Sequence, residues 1–141
     1  MSRLEALLRA DEGCVLHAYT DTLGYTTIGV GRLLDQRKNG GITEEEASYL
    51  LNNDILNKQT ALRVALPWFD ALDDVRRAVL VSMAFNLGVA GALAFTTTLT
   101  HVRAGRWAEA ATAMLQSKWA QQLPARVARL SEMMRTGTWP S

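Results

Sequence analysis

The chain has 141 residues, 48% apolar and 21% charged, a globular mix long enough to bury a core without staples. A net charge of +1, with no dense basic run and no aromatic-basic interleaving, argues against a nucleic-acid partner. A single cysteine, Cys14, rules out an intramolecular disulfide, and with no His/Cys cluster no zinc site, metal or organic cofactor is expected. Cys14 itself reads as a small buried apolar side chain.

The charge is unevenly spread. Residues 1–70 hold seven Lys/Arg against ten Asp/Glu, and residues 71–141 hold eight against four. A basic C-terminal half suits an anionic polymer, and ordinary solvated helix faces explain it equally well. Met1-Ser2-Arg3-Leu4-Glu5 lacks the basic-then-apolar pattern of a signal peptide. No run approaches the ~18 apolar residues of a membrane span, so no stable membrane insertion is expected.

In chain order, Ser2-Arg3-Leu4-Glu5 has the form of a capping box, and Leu4, Leu7 and Leu8 share one helical face. Gly13 is a natural stop, so Glu12 falls in the last turn of a short helix. Residues 14–35 change character: Tyr19, Tyr25, Thr26, Thr27, Ile28 and Val30 favour strands, and Asp21-Thr22-Leu23-Gly24, Gly29 and Gly31 supply turns. A small antiparallel sheet of two or three strands is expected there, followed by a polar loop at Arg37-Lys38-Asn39-Gly40-Gly41. Thr43-Glu44-Glu45-Glu46 is a second capping box and opens one long helix running to Pro67.

The remainder reads as helical. Asp73 caps a helix with Val75, Val79, Leu80, Met83 and Leu87 inward, interrupted at Gly88 and Gly91. A short helix covers roughly 96–104, another begins near Trp107, and Pro124 starts a last one that ends before Gly137. The fold class is therefore α+β and two-lobed: a small sheet-bearing lobe, a long connecting helix and a larger helical lobe. We expect one catalytic domain over residues 1–141, its small lobe roughly 13–60 and its helical lobe roughly 61–141 plus 1–12. Trp68, Trp107, Trp119, Trp139, Phe85 and Phe95 are expected mainly in the core, and His17 and His101 read as surface or core fillers.

Three side chains carry candidate chemistry. Glu12 meets the negative end of its helix dipole, which favours the protonated form a general acid needs. Asp21 lies in the turn after the first strand and Thr27 in the next strand. Taken singly, each has an ordinary structural explanation: a frayed helix end, turn chemistry, β propensity. Together, a helix end, a turn and a strand that converge on one cleft supply the two carboxylates that glycosidic hydrolysis requires. Arg32 and Asp54 are candidates to pair, or are two unrelated surface charges. Arg126 and Arg129, one turn apart, are candidates to face Asp11 and Glu12 and to orient the acid.

The strings Asp11-Glu12-Gly13 and Tyr19-Thr20-Asp21-Thr22-Leu23-Gly24-Tyr25-Thr26-Thr27-Ile28-Gly29-Val30-Gly31 strongly resemble the phage T4-type lysozymes, the endolysins of glycoside hydrolase family 24. The likeness continues through Met83-Ala84-Phe85-Asn86-Leu87-Gly88, Ala94-Phe95-Thr96-Thr97-Thr98-Leu99, Ser117-Lys118-Trp119 and Arg135-Thr136-Gly137-Thr138-Trp139, and so covers nearly the whole chain. It implies a muramidase that cleaves the β-1,4 bond between N-acetylmuramic acid and N-acetylglucosamine in bacterial peptidoglycan. By matching position, Glu12 is the general acid, Asp21 the base that activates water, and Thr27 the residue that places that water, with inversion at the anomeric carbon. Leu33, Phe85 and Thr98 match the saccharide cleft, and Arg126 matches the arginine that pairs with the catalytic glutamate.

The sequence departs from the family pattern in places. The segment after Leu34 is short, Arg32 stands where a histidine pairs with the aspartate matched by Asp54, Thr98 replaces a serine, and Ala113 replaces a polar cleft residue. Arginine is a fixed cation, so an Arg32–Asp54 pair would persist to higher pH than a His–Asp pair. The expected setting is a monomer held in the host cytoplasm until a holin opens the membrane, then acting on the wall. The alternatives are a tail-associated lysozyme, a non-catalytic wall-binding module of the same fold, and a transglycosylase that needs Glu12 but not Asp21.

Overall fold

Ser2 opens the first helix, α1 (Arg3–Glu12), by accepting the Glu5 N–H on its Oγ at 3.0 Å. The return half of the expected box is replaced: Glu5 Oε1 accepts from Arg9 Nε at 3.2 Å, one turn along. Gly13 ends the helix at φ 74°, its N–H reaching Arg9 O at 2.9 Å. That left-handed backbone is open to glycine and costly for a residue with a Cβ.

The computed structural model describes residues 2–38 and 41–140. By chain proximity these fall into two units, Met1–Asn52 and Asn53–Ser141. The first holds α1, the sheet and the start of the long helix. Strands β1 (Val15–Thr20), β2 (Tyr25–Gly29) and β3 (Arg32–Lys38) form one antiparallel sheet in the order β1-β2-β3. Thr27 lies on the middle strand, opposite Tyr19 on one side and Leu33 on the other. Arg37 and Lys38, expected in a loop, belong to β3 instead. The ladder with β2 carries the chain on, with Tyr25 opposite Lys38 and the Lys38 ammonium 6.0 Å from the Tyr25 ring centre. Asn39 and Gly40 of that expected loop lie outside the described residues. Cys14 is exposed rather than buried, in the short connection between α1 and β1.

Helix α2 (Glu44–Ala65) starts on a complete capping box: Thr43 Oγ1 accepts the Glu46 N–H at 3.1 Å and Glu46 Oε2 accepts the Thr43 N–H at 2.9 Å. It belongs to the first unit as far as Asn52 and to the second beyond it. A 3-10 turn (Phe69–Ala71) follows Pro67. Next come α3 (Asp74–Leu93), α4 (Thr96–Arg103), α5 (Trp107–Leu115), α6 (Lys118–Gln122) and α7 (Pro124–Thr136). Asp73 caps α3, accepting the Arg76 N–H at 3.0 Å, and Gly88 breaks that helix at φ 75° and ψ 162°. Gly91, by contrast, stays helical. Short α6 is not visible in the apolar pattern; it forms because Ser117 Oγ accepts the Ala120 N–H at 3.1 Å.

The core of the second unit is built from Leu62, Phe69, Val79, Leu80, Met83, Met114, Val127 and Met134, all fully buried, with α7 packed on α3 and α5. α3 reaches the length and mean hydropathy (1.2) of a membrane span, although Arg76 and Arg77 interrupt its apolar run. Its apolar side chains Val75, Val79, Leu80, Met83 and Ala84 instead line this core. Trp119 is buried, and Trp68, Trp107 and Phe95 pack partly buried against the core. Trp139 and Phe85, expected inside, are 61% and 42% exposed.

Candidate active site

Glu12 is the last residue of α1, and its exposed side chain lies against Gly31 in the β2–β3 turn. A Cβ on Gly31 would stand 2.8 Å from Glu12 Oε2, so any other residue there would displace the carboxylate from this position. The backbone demands glycine as well, since Gly31 has φ 63°. This contact ties the helix end to the sheet through a site with no side chain in the way.

Asp21 turns the chain from β1 into β2. Its Oδ1 accepts the Leu23 N–H at 3.0 Å and the Tyr25 N–H at 2.8 Å, while its own N–H donates to Tyr25 O at 2.8 Å. The carboxylate is thus held by two backbone donors, with Oδ2 not engaged in either bond. The turn chemistry and a reactive placement coexist: the hydrogen bonds that shape the turn also fix where the second oxygen points. Thr27 is 3% exposed, and its hydroxyl donates to Tyr25 O at 3.1 Å. Asp21 and Thr27 therefore share Tyr25 as a backbone anchor, through its N–H and its carbonyl. Leu33, opposite Thr27 across the β2–β3 ladder, is 46% exposed.

The first unit holds Glu12, Asp21, Thr27 and Leu33, with Asp11 exposed in the last turn of α1. The other expected residues belong to the second unit. Phe85 lies on α3. Thr98, 2% exposed on α4, lines a hollow of about 330 Å³ together with Phe95, Ala113 and Ser117. Two positions that depart from the family pattern, Thr98 and Ala113, thus wall the same space. Arg126 and Arg129 lie one turn apart on the exposed face of α7, whose other face buries Val127 and Leu130.

Some supporting residues carry no sequence signal of their own. Asn86 Oδ1 accepts the Trp119 Nε1–H at 2.5 Å, and the Phe95 ring meets Trp119 edge-on at 5.9 Å. These contacts join three of the quoted strings, Met83–Gly88, Ala94–Leu99 and Ser117–Trp119, into one packing unit. His101 is held by Arg106, whose Nε–H donates to Nδ1 at 2.9 Å. Among the described residues no group of three or more His, Cys, Asp or Glu is arranged to hold a metal.

Comparison with known proteins agrees with this architecture. The phage lysozyme family model matches residues 9–132. The chain is 33% identical to the pre-baseplate central spike protein Gp5 of Enterobacteria phage T4, covering 96% of this chain but only 28% of that protein. It is 30% identical to probable T4-type lysozyme 1 of Dictyostelium discoideum, over 98% of this chain and 96% of that one. Probable T4-type lysozyme 2 of the same organism is 29% identical, again covering 96% of its length. With an α+β fold, a three-stranded sheet and a family match over most of its length, the chain belongs to the phage lysozyme family.

Proposed function

We propose that the chain, a glycoside hydrolase by family, is a muramidase that hydrolyses the β-1,4 bond between N-acetylmuramic acid and N-acetylglucosamine in peptidoglycan. The observation that carries this reading is the grouping of Glu12, Asp21 and Thr27 on a helix end, a turn and a buried strand position of one small unit. Glu12 protonates the leaving oxygen. Asp21, its orientation set by the Leu23 and Tyr25 N–H groups, takes a proton from water, and Thr27 holds that water. Attack from the face opposite the leaving group inverts the anomeric centre, which needs carboxyl groups roughly 6.5–9.5 Å apart. From the resemblance alone, Leu33, Phe85 and Thr98 are assigned to the glycan, and Arg126, Arg129 and Asp11 to the support of Glu12.

Clearing of purified cell walls tests the assignment. Glu12→Gln should lose about 10²–10⁴-fold in rate, the usual contribution of a general acid. Equal clearing by wild type and Glu12→Gln would remove Glu12 from the mechanism. The products should carry the α configuration. An anhydro-sugar end together with tolerance of Asp21→Ala would mean a transglycosylase instead.

For setting, we infer a monomeric endolysin that waits in the host cytoplasm and reaches the wall when a holin opens the membrane. The match along 96% of the length of two T4-type lysozymes supports a catalytic unit acting on its own. The likeness to Gp5 supports a second reading, a lysozyme carried by a phage tail. Expression in a bacterium without a holin tests the first reading: spontaneous lysis would rule out holin dependence.

A further inference from the structure

The turn that carries Asp21 is overlaid by a side chain from the far end of the sheet. The Gly24 N–H closes this turn by donating to Asp21 O at 3.1 Å, with Gly24 at φ 90°. A Cβ placed on Gly24 would lie 3.8 Å from Lys38 Cβ and Cδ and 3.9 Å from its Cγ. The Lys38 stem thus runs along the face of the turn that Gly24 leaves bare. Its ammonium stands 6.0 Å from the centre of the Tyr25 ring, at the outer limit of a cation–π contact. No carboxylate pairs with that ammonium among the described residues. The ladder shows why the contact matters. Tyr25 is opposite Lys38 and Thr27 opposite Leu33, so β2 advances two residues over a stretch where β3 advances five. Regular pairing with β3 is therefore lost between Thr27 and Tyr25. Yet Tyr25 anchors both polar groups of the site: its N–H holds Asp21 Oδ1 at 2.8 Å and its carbonyl accepts the Thr27 hydroxyl at 3.1 Å. Beside an interrupted ladder, the Lys38 side chain takes over the fixing of Tyr25 on the β3 side.

We propose that Lys38 is a positioning residue for Asp21 and Thr27, an inference that rests on the muramidase reading above. Its stem covers Gly24 and its ammonium holds the Tyr25 ring. Tyr25 then keeps its N–H on the Asp21 carboxylate and its carbonyl against the Thr27 hydroxyl. Lys38 acts through Tyr25 and moves no proton itself. It lies in the segment after Leu34, where the chain departs from the family pattern, so the geometry and not the resemblance assigns this role. Stem and charge contribute separately. Methionine keeps most of the stem without the charge, alanine keeps neither, and arginine keeps both in a planar cation that stacks on an aromatic face.

Two measurements test this on the full chain. The first is steady-state hydrolysis of soluble glycan strands by wild type, Lys38→Ala, Lys38→Met and Lys38→Arg, with a thermal melt of each. Lys38→Ala should lower kcat about three- to tenfold with KM unchanged, Lys38→Met should fall between, and Lys38→Arg should restore the rate. All four should melt alike, as expected for changes at an exposed side chain. A loss confined to KM would make Lys38 a substrate contact, and a loss that follows the melting temperature would make it merely structural. Wild-type rates in Lys38→Ala, or no rescue by arginine, would leave it without the role; each of these results overturns the proposal. The second measurement is amide hydrogen exchange at Leu23 and Tyr25, the two N–H groups held by Asp21. Both should exchange about three- to tenfold faster in Lys38→Ala and near the wild-type rate in Lys38→Arg, with the core amides of α3 and α7 unchanged. Unaltered exchange at Leu23 and Tyr25 would overturn the proposal. Exchange needs no turnover, so an inactive wild type would count against the muramidase reading alone.

Discussion

The guanidinium of Arg76 lies 3.9 Å over the centre of the Trp107 ring, joining the start of α3 to the start of α5. The same group donates to two carbonyls at the end of α7: Nε to Met134 O at 2.8 Å and Nη2 to Arg135 O at 3.1 Å. It also pairs with Asp73 at 3.2 Å, and its side chain is only 11% exposed. One cation thus satisfies the open C-terminal end of a helix and closes the helical unit. Arg76→Ala should cost about 3–5 kcal/mol, since it orphans two carbonyls and removes a cation–π contact. Arg76→Lys should recover only part of this, because an ammonium lacks the planar fork that reaches both carbonyls. Urea unfolding measures both; a lysine variant as stable as wild type would refute the fork.

Gly137 caps α7 in the left-handed region at φ 69°, and a Cβ there would come 2.7 Å from Arg76 Nη1. Gly137→Ala therefore carries two penalties, a backbone cost of about 1–2 kcal/mol and displacement of the guanidinium. In the Arg76→Ala background only the first survives. The double-mutant cycle should give a coupling of about 1 kcal/mol or more, and strict additivity would separate the two residues.

Gly31 and Gly29 form a matched pair for the site. Both have positive φ, 63° and 67°, but a Cβ on Gly29 meets nothing within 4 Å whereas one on Gly31 meets Glu12. Both alanine variants should lose similar stability, about 1–2 kcal/mol. Only Gly31→Ala should lose activity strongly, on the order of 10–100-fold, because it pushes the Glu12 carboxylate aside. Wall clearing beside thermal melts distinguishes them, and equal activity loss in both would dissociate Gly31 from Glu12.

Asp73 supplies a pH dependence. Burial pushes its carboxyl upward, but the Arg76 N–H and guanidinium outweigh that and hold it below the ordinary value of 3.8. A group depressed in the folded state stabilises fully above its unfolded value, and that stabilisation is lost as pH falls through the lower folded value. The acid limb of the stability curve should therefore steepen below about pH 4. Asp73→Asn keeps an N-cap but not the charge, so it should lower stability at neutral pH and flatten that limb. An unchanged limb in the asparagine variant would mean that Asp73 does not set it. Asp70 and Glu132 are likewise lowered, by Arg63 and Arg135, but both pairs are open to water and salt should erase their effect.

What the sequence by itself determined was local. The caps at Ser2, Thr43 and Asp73, the stops at Gly13 and Gly137, and the turn at Asp21 all rest on groups within four residues of one another, so their hydrogen bonds are written in adjacent letters. The placement of Glu12, Asp21 and Thr27 at a helix end, in a turn and on a strand was legible for the same reason, these elements being close in the chain. Only the tertiary structure decided how far β3 extends, that Cys14 is exposed, and that Thr98 and Ala113 wall one hollow. It alone brought Arg76 to carbonyls 58 and 59 residues away. Such contacts depend on which helix faces meet, and an isolated arginine leaves no periodic trace of the helix end it will close.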